Sequence, residues 1–327
     1  MIAVGADDDF TRAMERLSGD LGGELSNLTR LSGGASQETW SFDAGGAGFI
    51  VRRTPGGTAP VSGSQAIGLE AEAAVIRAAR AHGVPAPEVL HICEPEDDLG
   101  VAYVMRRLRG ETIARKILRD DAYATARARL TAQCGNAVAR IQSTQIVSLP
   151  LLDAAAQLSL YETLLRSFDA PRPVFELAFA TLRERLPTQT APVLVHGDFR
   201  LGNLMVDEAG LVAALDWELA HRGDPAEDLG WLCTPSWRFG ELNHEVGGFG
   251  PLAELIGAYH SAGGDETVTA DRVRFWMQLG SLKWGIMCLL MFRAFDSGAD
   301  HSVERAAIGR RASEAELDLM LMLTERL

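Results

Sequence analysis

Lysine is almost missing from this chain. Lys116 and Lys283 are the only two in 327 residues, and every other cationic side chain apart from histidine is an arginine. Any cation needed before position 116 must therefore be an arginine. Cysteine is scarce as well. Cys93, Cys134, Cys233 and Cys288 lie far apart with no C-x-x-C pair, which argues against a disulfide framework and a structural zinc site. Four small buried apolar residues are expected instead. Positive charge is in deficit overall. A net charge of −13 repels phosphate backbones and anionic lipid, so neither nucleic acid nor membrane is expected as a partner. The opening MIAVGADDDF lacks the basic start and apolar core of a signal peptide. The most apolar stretch, Phe275 to Phe295, is interrupted by Lys283 and Arg293, which leaves too short a run to span a bilayer. A buried helix and a cytoplasmic protein are the expectation. Internal repeats and low-complexity tracts are missing too.

What is present is a composition ordinary for a globular protein, 47% hydrophobic and 23% charged. The length is large for one hydrophobic core and comfortable for two lobes. Residues 7–23 read as a short amphipathic helix. Short strands follow at 28–31, 39–42 and 49–53, with the glycine-rich turn Ser32-Gly33-Gly34-Ala35-Ser36 between the first two. Leu69 to Ala81 reads as a helix closed by Gly83 and Pro85, and 89–93 and 101–105 as two further strands. After Gly110 the pattern turns helical, from about 112 to 186 with a break near Pro150 and again to the end, around one β-rich insert at 193–215. An α+β architecture follows: a small five-stranded lobe, residues 1–107, and a large mainly helical lobe, residues 108–327.

The insert carries the chemistry. In LVHGDFRLGNLMVDEAGLVAALDWE, residues 194–218, a buried strand at 193–195 delivers His196-Gly197-Asp198 into a loop. A hairpin, 204–206 with 211–215, turns at 207–210. Asn203 enters that hairpin and Asp216 leaves it, so three oxygen-bearing side chains converge at one end of a rigid element. Phosphoryl transfer needs these residue types. A base must take the proton of the acceptor hydroxyl, and divalent cations must hold the phosphates. Asp198 suits the first role; Asn203 and Asp216 are hard oxygen ligands suited to Mg²⁺. The spacing His196-x-Asp198-x-x-x-x-Asn203 equals that of the kinase catalytic loop.

The sequence resembles the aminoglycoside phosphotransferase and choline-kinase-like enzymes, a branch of the protein-kinase-like fold. Within that group it is most similar to phosphotransferases related to the kinase region of certain acyl-CoA dehydrogenases. The resemblance runs through LSGGASQETW, FIVRR, YVMRRLRGETI, VHGDFRLGN and LDWELAHRGDPAEDLGWL, roughly residues 28–232. It implies that Asp198 is the catalytic residue and that Asn203 and Asp216 ligate Mg²⁺. It also implies that Ser32, Gly33, Gly34 and Ser36 cover the nucleotide phosphates and that the backbone of Arg106 to Leu108 meets the adenine ring. Asp228 and His196 would brace the catalytic loop.

Kinases grip the phosphates with a lysine on the third strand, tied to a helix glutamate. No lysine is available here. Strand alternation puts Ile50 and Arg52 on one face, which makes Arg52 the replacement. Leu69, Glu72 and Ile76 share a helix face. A carboxylate on a core-facing stripe needs a cation, so Glu72 rather than Glu70 is the expected partner. Glu218 stands within reach of the metal or the acceptor, and Lys283 is a candidate for an anionic substrate group.

The expected function is transfer of the γ-phosphoryl group of ATP, or GTP, with Mg²⁺, to a hydroxyl of a small molecule. The acceptor stays open: the acidic composition fits an aminoglycoside, the resemblance a hydroxyacyl or other metabolite. The rival is a catalytically silent nucleotide-binding protein, for which the missing lysine speaks. A helical scaffold leaves HGDFRLGN without explanation.

Overall fold

The computed structural model describes residues 8–33, 37–54, 66–146, 148–168, 171–299 and 301–324. Helix α1 (Asp8–Asp20) buries Phe10, Ala13, Met14 and Leu17 along one stripe, the i, i+3, i+4, i+7 spacing of an amphipathic helix. Five strands follow: β1 (Ser26–Gly33), β2 (Glu38–Ala44), β3 (Ala47–Thr54), β4 (Val89–Ile92) and β5 (Val101–Arg106), with α2 (Leu69–Ala81) between β3 and β4. They form one antiparallel sheet in the order β1-β2-β3-β5-β4. The β2–β3 hairpin turns on Gly45 and Gly46, at φ 57° and 79°. Positive φ at both central residues is what a tight two-residue hairpin demands, and glycine supplies it without steric cost.

Alternation gives this sheet two unlike faces. Trp40, Phe42, Phe49, Val51, Ala102 and Val104 form a core with α1. Their neighbours Thr39, Ile50, Arg52, Tyr103 and Met105 line a cleft on the other side. The register sets Thr39, Arg52 and Tyr103 abreast.

The remaining chain is mainly helical: α3 (Ala114–Arg119), α4 (Ala124–Ser143), α5 (Ala154–Arg166), α6 (Pro173–Glu184), α7 (Glu227–Cys233), α8 (Leu252–Ser261), α9 (Ala270–Asp296), α10 (Val303–Gly309) and α11 (Ala312–Leu323). Between α6 and α7 lie β6 (Val193–Val195), β7 (Leu204–Asp207), β8 (Gly210–Ala214) and β9 (His221–Gly223), paired as β6 with β9 and β7 with β8. A second core runs through all of this and takes in α2, Val84, Val89 and Tyr103. Glu111 and Val206 exchange backbone hydrogen bonds of 2.8 and 2.9 Å, which clamp the segment after β5 to the β7–β8 hairpin.

The helix α9 is long and apolar enough to cross a membrane by length and composition, and 72% of its apolar window is buried inside the protein. Cys134, Cys233 and Cys288 are buried, whereas Cys93 is only half-buried; all four are free thiols. One departure from the sequence pattern concerns a strand: β9 was not foreseen, because three residues, His-Arg-Gly, carry no readable alternation.

Candidate active site

Arg52 projects from the middle of β3 into the cleft. One guanidinium nitrogen, Nη1, donates to Glu72 Oε1 at 2.6 Å and to Asp216 Oδ1 at 3.0 Å. The other, Nη2, donates to Gln37 Oε1 at 3.2 Å and to Glu218 Oε2 at 3.3 Å. Glu72 is 1% exposed on the inward stripe of α2, while Glu70 faces solvent. A buried carboxylate is stable only beside a cation, and Arg52 is that cation. Burial pushes the Glu72 pKa up to about 7, with Arg52 pulling against it. Burial by itself would lower the Arg52 pKa, but the carboxylate of Glu72, followed by smaller contributions from Tyr103, Asp216 and Glu218, holds it above its ordinary value. Three carboxylates thus surround one guanidinium. Burial and Asp216 raise the Glu218 pKa, with Arg52 opposing.

The loop that carries Asp198 leaves β6. Asp228, at the start of α7, accepts the backbone N–H groups of His196 at 2.8 Å and Gly197 at 3.0 Å. Burial raises its pKa to about 7 against the pull of these two donors. Gly197 sits at φ 84°, and a Cβ there would lie 2.3 Å from the Leu219 carbonyl oxygen, so only glycine fits. The His196 ring is buried against Trp217, with centroids 4.5 Å apart. Its Nδ1 lies 3.2 Å from the Asp198 N–H and accepts it, and burial pushes its pKa down to about 4. The ring is therefore a neutral structural wedge.

Asp198 is held on both oxygens. Its Oδ1 accepts from Arg200 Nε at 2.9 Å and from Trp231 Nε1 at 2.7 Å, and its Oδ2 from Asn203 Nδ2 at 2.6 Å. The Arg200 guanidinium lies over the ring of Trp237, 4.4 Å from its centroid. Two acceptor positions per oxygen are available on an ionised carboxylate, so one on Oδ2 stays open.

Asn203 and Asp216 are joined through the backbone, since the Leu215 N–H donates to the Asn203 carbonyl at 2.8 Å. Asp216 has φ 64°, a left-handed conformation that costs a non-glycine residue roughly 1–3 kcal/mol and recurs at functional positions. Asn203 Oδ1 and Asp216 Oδ2 accept no hydrogen bond from the described residues. Both residues line the cleft of about 490 Å³ that also contains Arg52, Tyr103, Met105 and Leu108. Two free hard oxygens beside a surplus of carboxylate fit a divalent cation.

The other candidates fall as follows. Ser32 and Gly33 end β1, whereas Gly34 and Ser36 lie outside the described residues. The Arg106 N–H is spent on the Glu88 carbonyl and the Arg107 N–H on that of Gly48. Leu108 is the one of the three whose amide makes no backbone bond among the described residues. Gln37, Arg200 and Trp231 were missed by sequence reasoning. Arg200 was readable as the cation two residues past Asp198. Trp231 is 33 positions away from it, and no local pattern announces the contact.

A model of the phosphotransferase enzyme family matches residues 27–275. Among curated proteins, the chain is 28% identical over 217 residues to acyl-CoA dehydrogenase family member 10 of Mus musculus, covering 63% of this chain and 20% of that protein. It is 26% identical over 328 residues to acyl-CoA dehydrogenase family member 11 of Gallus gallus, covering 91% and 41%. The chain thus spans about a fifth to two fifths of the length of these relatives. Among solved structures, a Ralstonia eutropha JMP134 protein assigned to the aminoglycoside phosphotransferases superposes with a TM-score of 0.74 at 23% identity, over 96% of this chain and 98% of that one. A choline/ethanolamine kinase family protein from Mesorhizobium loti gives 0.64 at 22%, over 95% and 94%. A thermostable mutant of aminoglycoside phosphotransferase APH(4)-Ia, in ternary complex with ADP and hygromycin B, gives 0.59 at 20%, over 95% and 98%. The fold is that of the kinase-like aminoglycoside phosphotransferases, as the resemblance implied.

Proposed function

The chain belongs to the phosphotransferase enzyme family, and on that premise we propose that it moves the γ-phosphoryl group of ATP, with Mg²⁺, to a hydroxyl of a small molecule. One observation carries this reading. Asp198, Asn203 and Asp216 are fixed by protein hydrogen bonds, and each keeps an oxygen able to accept more. Residues 1–107 would hold the nucleotide, and residues 108–327 the catalytic loop and the acceptor.

In the reaction the acceptor oxygen forms a bond to the γ-phosphorus in line with the breaking bond to the β-phosphate oxygen. The hydroxyl proton passes to the open position on Asp198 Oδ2. Arg200 and Trp231 hold the opposite oxygen, so the carboxylate cannot rotate away. General-base help of this kind is worth on the order of 10²–10⁴-fold. Asn203 and Asp216 would hold Mg²⁺, which supplies neutralisation of the phosphate charge. Arg52 hydrogen-bonds Asp216. With nucleotide bound, its guanidinium is placed to turn one N–H pair to the phosphates while Glu72 retains the other. An arginine keeps the charge of the usual lysine and adds a planar fork. ATP as donor is supported by solved relatives of the same fold, one of which holds AMP-PNP with hygromycin B.

The test is Mg²⁺-dependent turnover of ATP against a library of hydroxyl compounds, read by mass spectrometry. A phosphorylated product, dependent on Mg²⁺, supports the reading. Nucleotide binding with no product from any acceptor favours the silent nucleotide-binding protein.

A further inference from the structure

Asn203 lines the cleft, and Gly197 lines a second cavity of about 320 Å³, at the lower end of the roughly 300–1,000 Å³ of small-molecule sites. Asp198 follows Gly197 in the chain and accepts a hydrogen bond from Asn203. Ile67, Leu152, Leu160 and Leu219 give the second cavity apolar walls, His221 and Lys283 give it two basic groups, and no carboxylate belongs to its lining among the described residues. Of the two basic groups, His221 is already paired with Glu227 at 3.1 Å, which leaves Lys283 as the cation facing the cavity.

Lys283, from the middle of α9, is 6% exposed. Its ammonium has three donors but makes, among the described residues, one long hydrogen bond, 3.5 Å to the Gly197 carbonyl, and stands 4.7 Å from the Trp231 ring centroid. Burial by itself would lower its pKa, but Tyr161 and the carboxylates of Glu227, Asp198 and Asp228 hold it above the ordinary value; these carboxylates are engaged elsewhere. Glu227 bonds Gln157 and His221, Asp228 holds two backbone amides, and Asp198 takes Arg200, Trp231 and Asn203. A buried cation with unfilled donors at the edge of an apolar cavity has hydrogen bonds left to give to a ligand oxygen.

We propose that this cavity takes the acceptor, and that the acceptor is a small hydroxy acid whose carboxylate sits on Lys283 and whose apolar body lies along Leu152, Leu160 and Leu219. The placement of its hydroxyl at Asp198 rests on the phosphotransfer reading; the anion site itself does not. A polycationic acceptor is disfavoured here by the charge of Lys283, whatever the surface charge of the chain.

The test uses the full chain. Butyrate and butyramide are titrated against wild type, Lys283→Met and Lys283→Arg by saturation-transfer NMR, and short hydroxy acids and their amides are compared as acceptors with Mg²⁺-ATP. Wild type is expected to bind butyrate at least about tenfold more tightly than butyramide, in line with a hydrogen bond to a charged group. Lys283→Met loses that preference, and Lys283→Arg keeps it. Equal binding of acid and amide by wild type overturns the proposal without any variant, and so does a preference that survives in Lys283→Met. Phosphorylation of amides and acids alike overturns the anion site but leaves phosphotransfer standing. A preference for butyrate with no phosphorylated product from any hydroxy acid overturns the acceptor role and leaves the anion site, while phosphotransfer itself is overturned only if the wider hydroxyl library gives no product either.

Discussion

Arg52 binds Glu72, Asp216, Glu218 and Gln37 at once. Removing it as Arg52→Met strands Glu72 in the core, a loss of roughly 3–5 kcal/mol for a broken buried pair, to be read by chemical denaturation. The cost depends on pH. Glu72 is already displaced upward, to about 7 from an ordinary 4.5. Without Arg52 it rises further. A carboxyl whose folded pKa exceeds its unfolded value adds stability below the unfolded pKa and loses it as pH rises through the folded one. The variant is therefore expected to lose more, relative to wild type, at pH 8 than at pH 6. An equal loss at both contradicts the pairing. His196 has the opposite sign. Its folded pKa of about 4 lies below the unfolded 6.5, so the unfolded chain takes up the proton first. The stability of wild type relative to His196→Gln should climb by about 3 kcal/mol from pH 4 to pH 6.5, and a flat difference would show that the ring is accessible to protons. Position in a periodic pattern made Arg52 and Glu72 legible beforehand. Strand alternation fixed the face of one, and the stripe of α2 fixed that of the other. Gln37 and Trp231 were not legible, since their roles depend on distances across the fold.

The loop that carries Asp198 owes its shape to two braces. Asp228 on α7 binds two amides of the loop after β6, and Gly197 packs its Cα against the Leu219 carbonyl. Asp228→Ala leaves two buried N–H groups unpaired, at roughly 1–3 kcal/mol each. It is expected to cut kcat far more than it raises the KM for ATP, because the nucleotide cleft is lined by other elements. A change confined to KM argues against this role. Gly197→Ala should lower Tm and activity together, since both its φ of 84° and the space around it exclude a Cβ. The strands and long helices of the fold follow periodicities that a sequence displays. β9 does not: it is too short to alternate, and it exists because β6 needs an edge partner.

The molecule as a whole sets a sheet with one wet and one dry face against a helical body, and the wet face forms one wall of the cleft. Its core does not stop at the segment after β5, since α2 and Tyr103 belong to the larger hydrophobic cluster. Arg52, on the sheet, and Asp216, on the helical side, are thereby held 3.0 Å apart. The two-lobed plan was legible from the change of period near residue 110. The acceptor cavity was not, because it is assembled from α5, α9, the catalytic loop and segments flanking α2 and β9, with no motif in common. The most direct test of the account is steady-state turnover of Mg²⁺-ATP by wild type and Asp198→Asn, with nucleotide affinity measured in parallel. Asp198→Asn is expected to lose about 10²–10⁴-fold in kcat with little change in nucleotide affinity. Unchanged turnover in Asp198→Asn would contradict it.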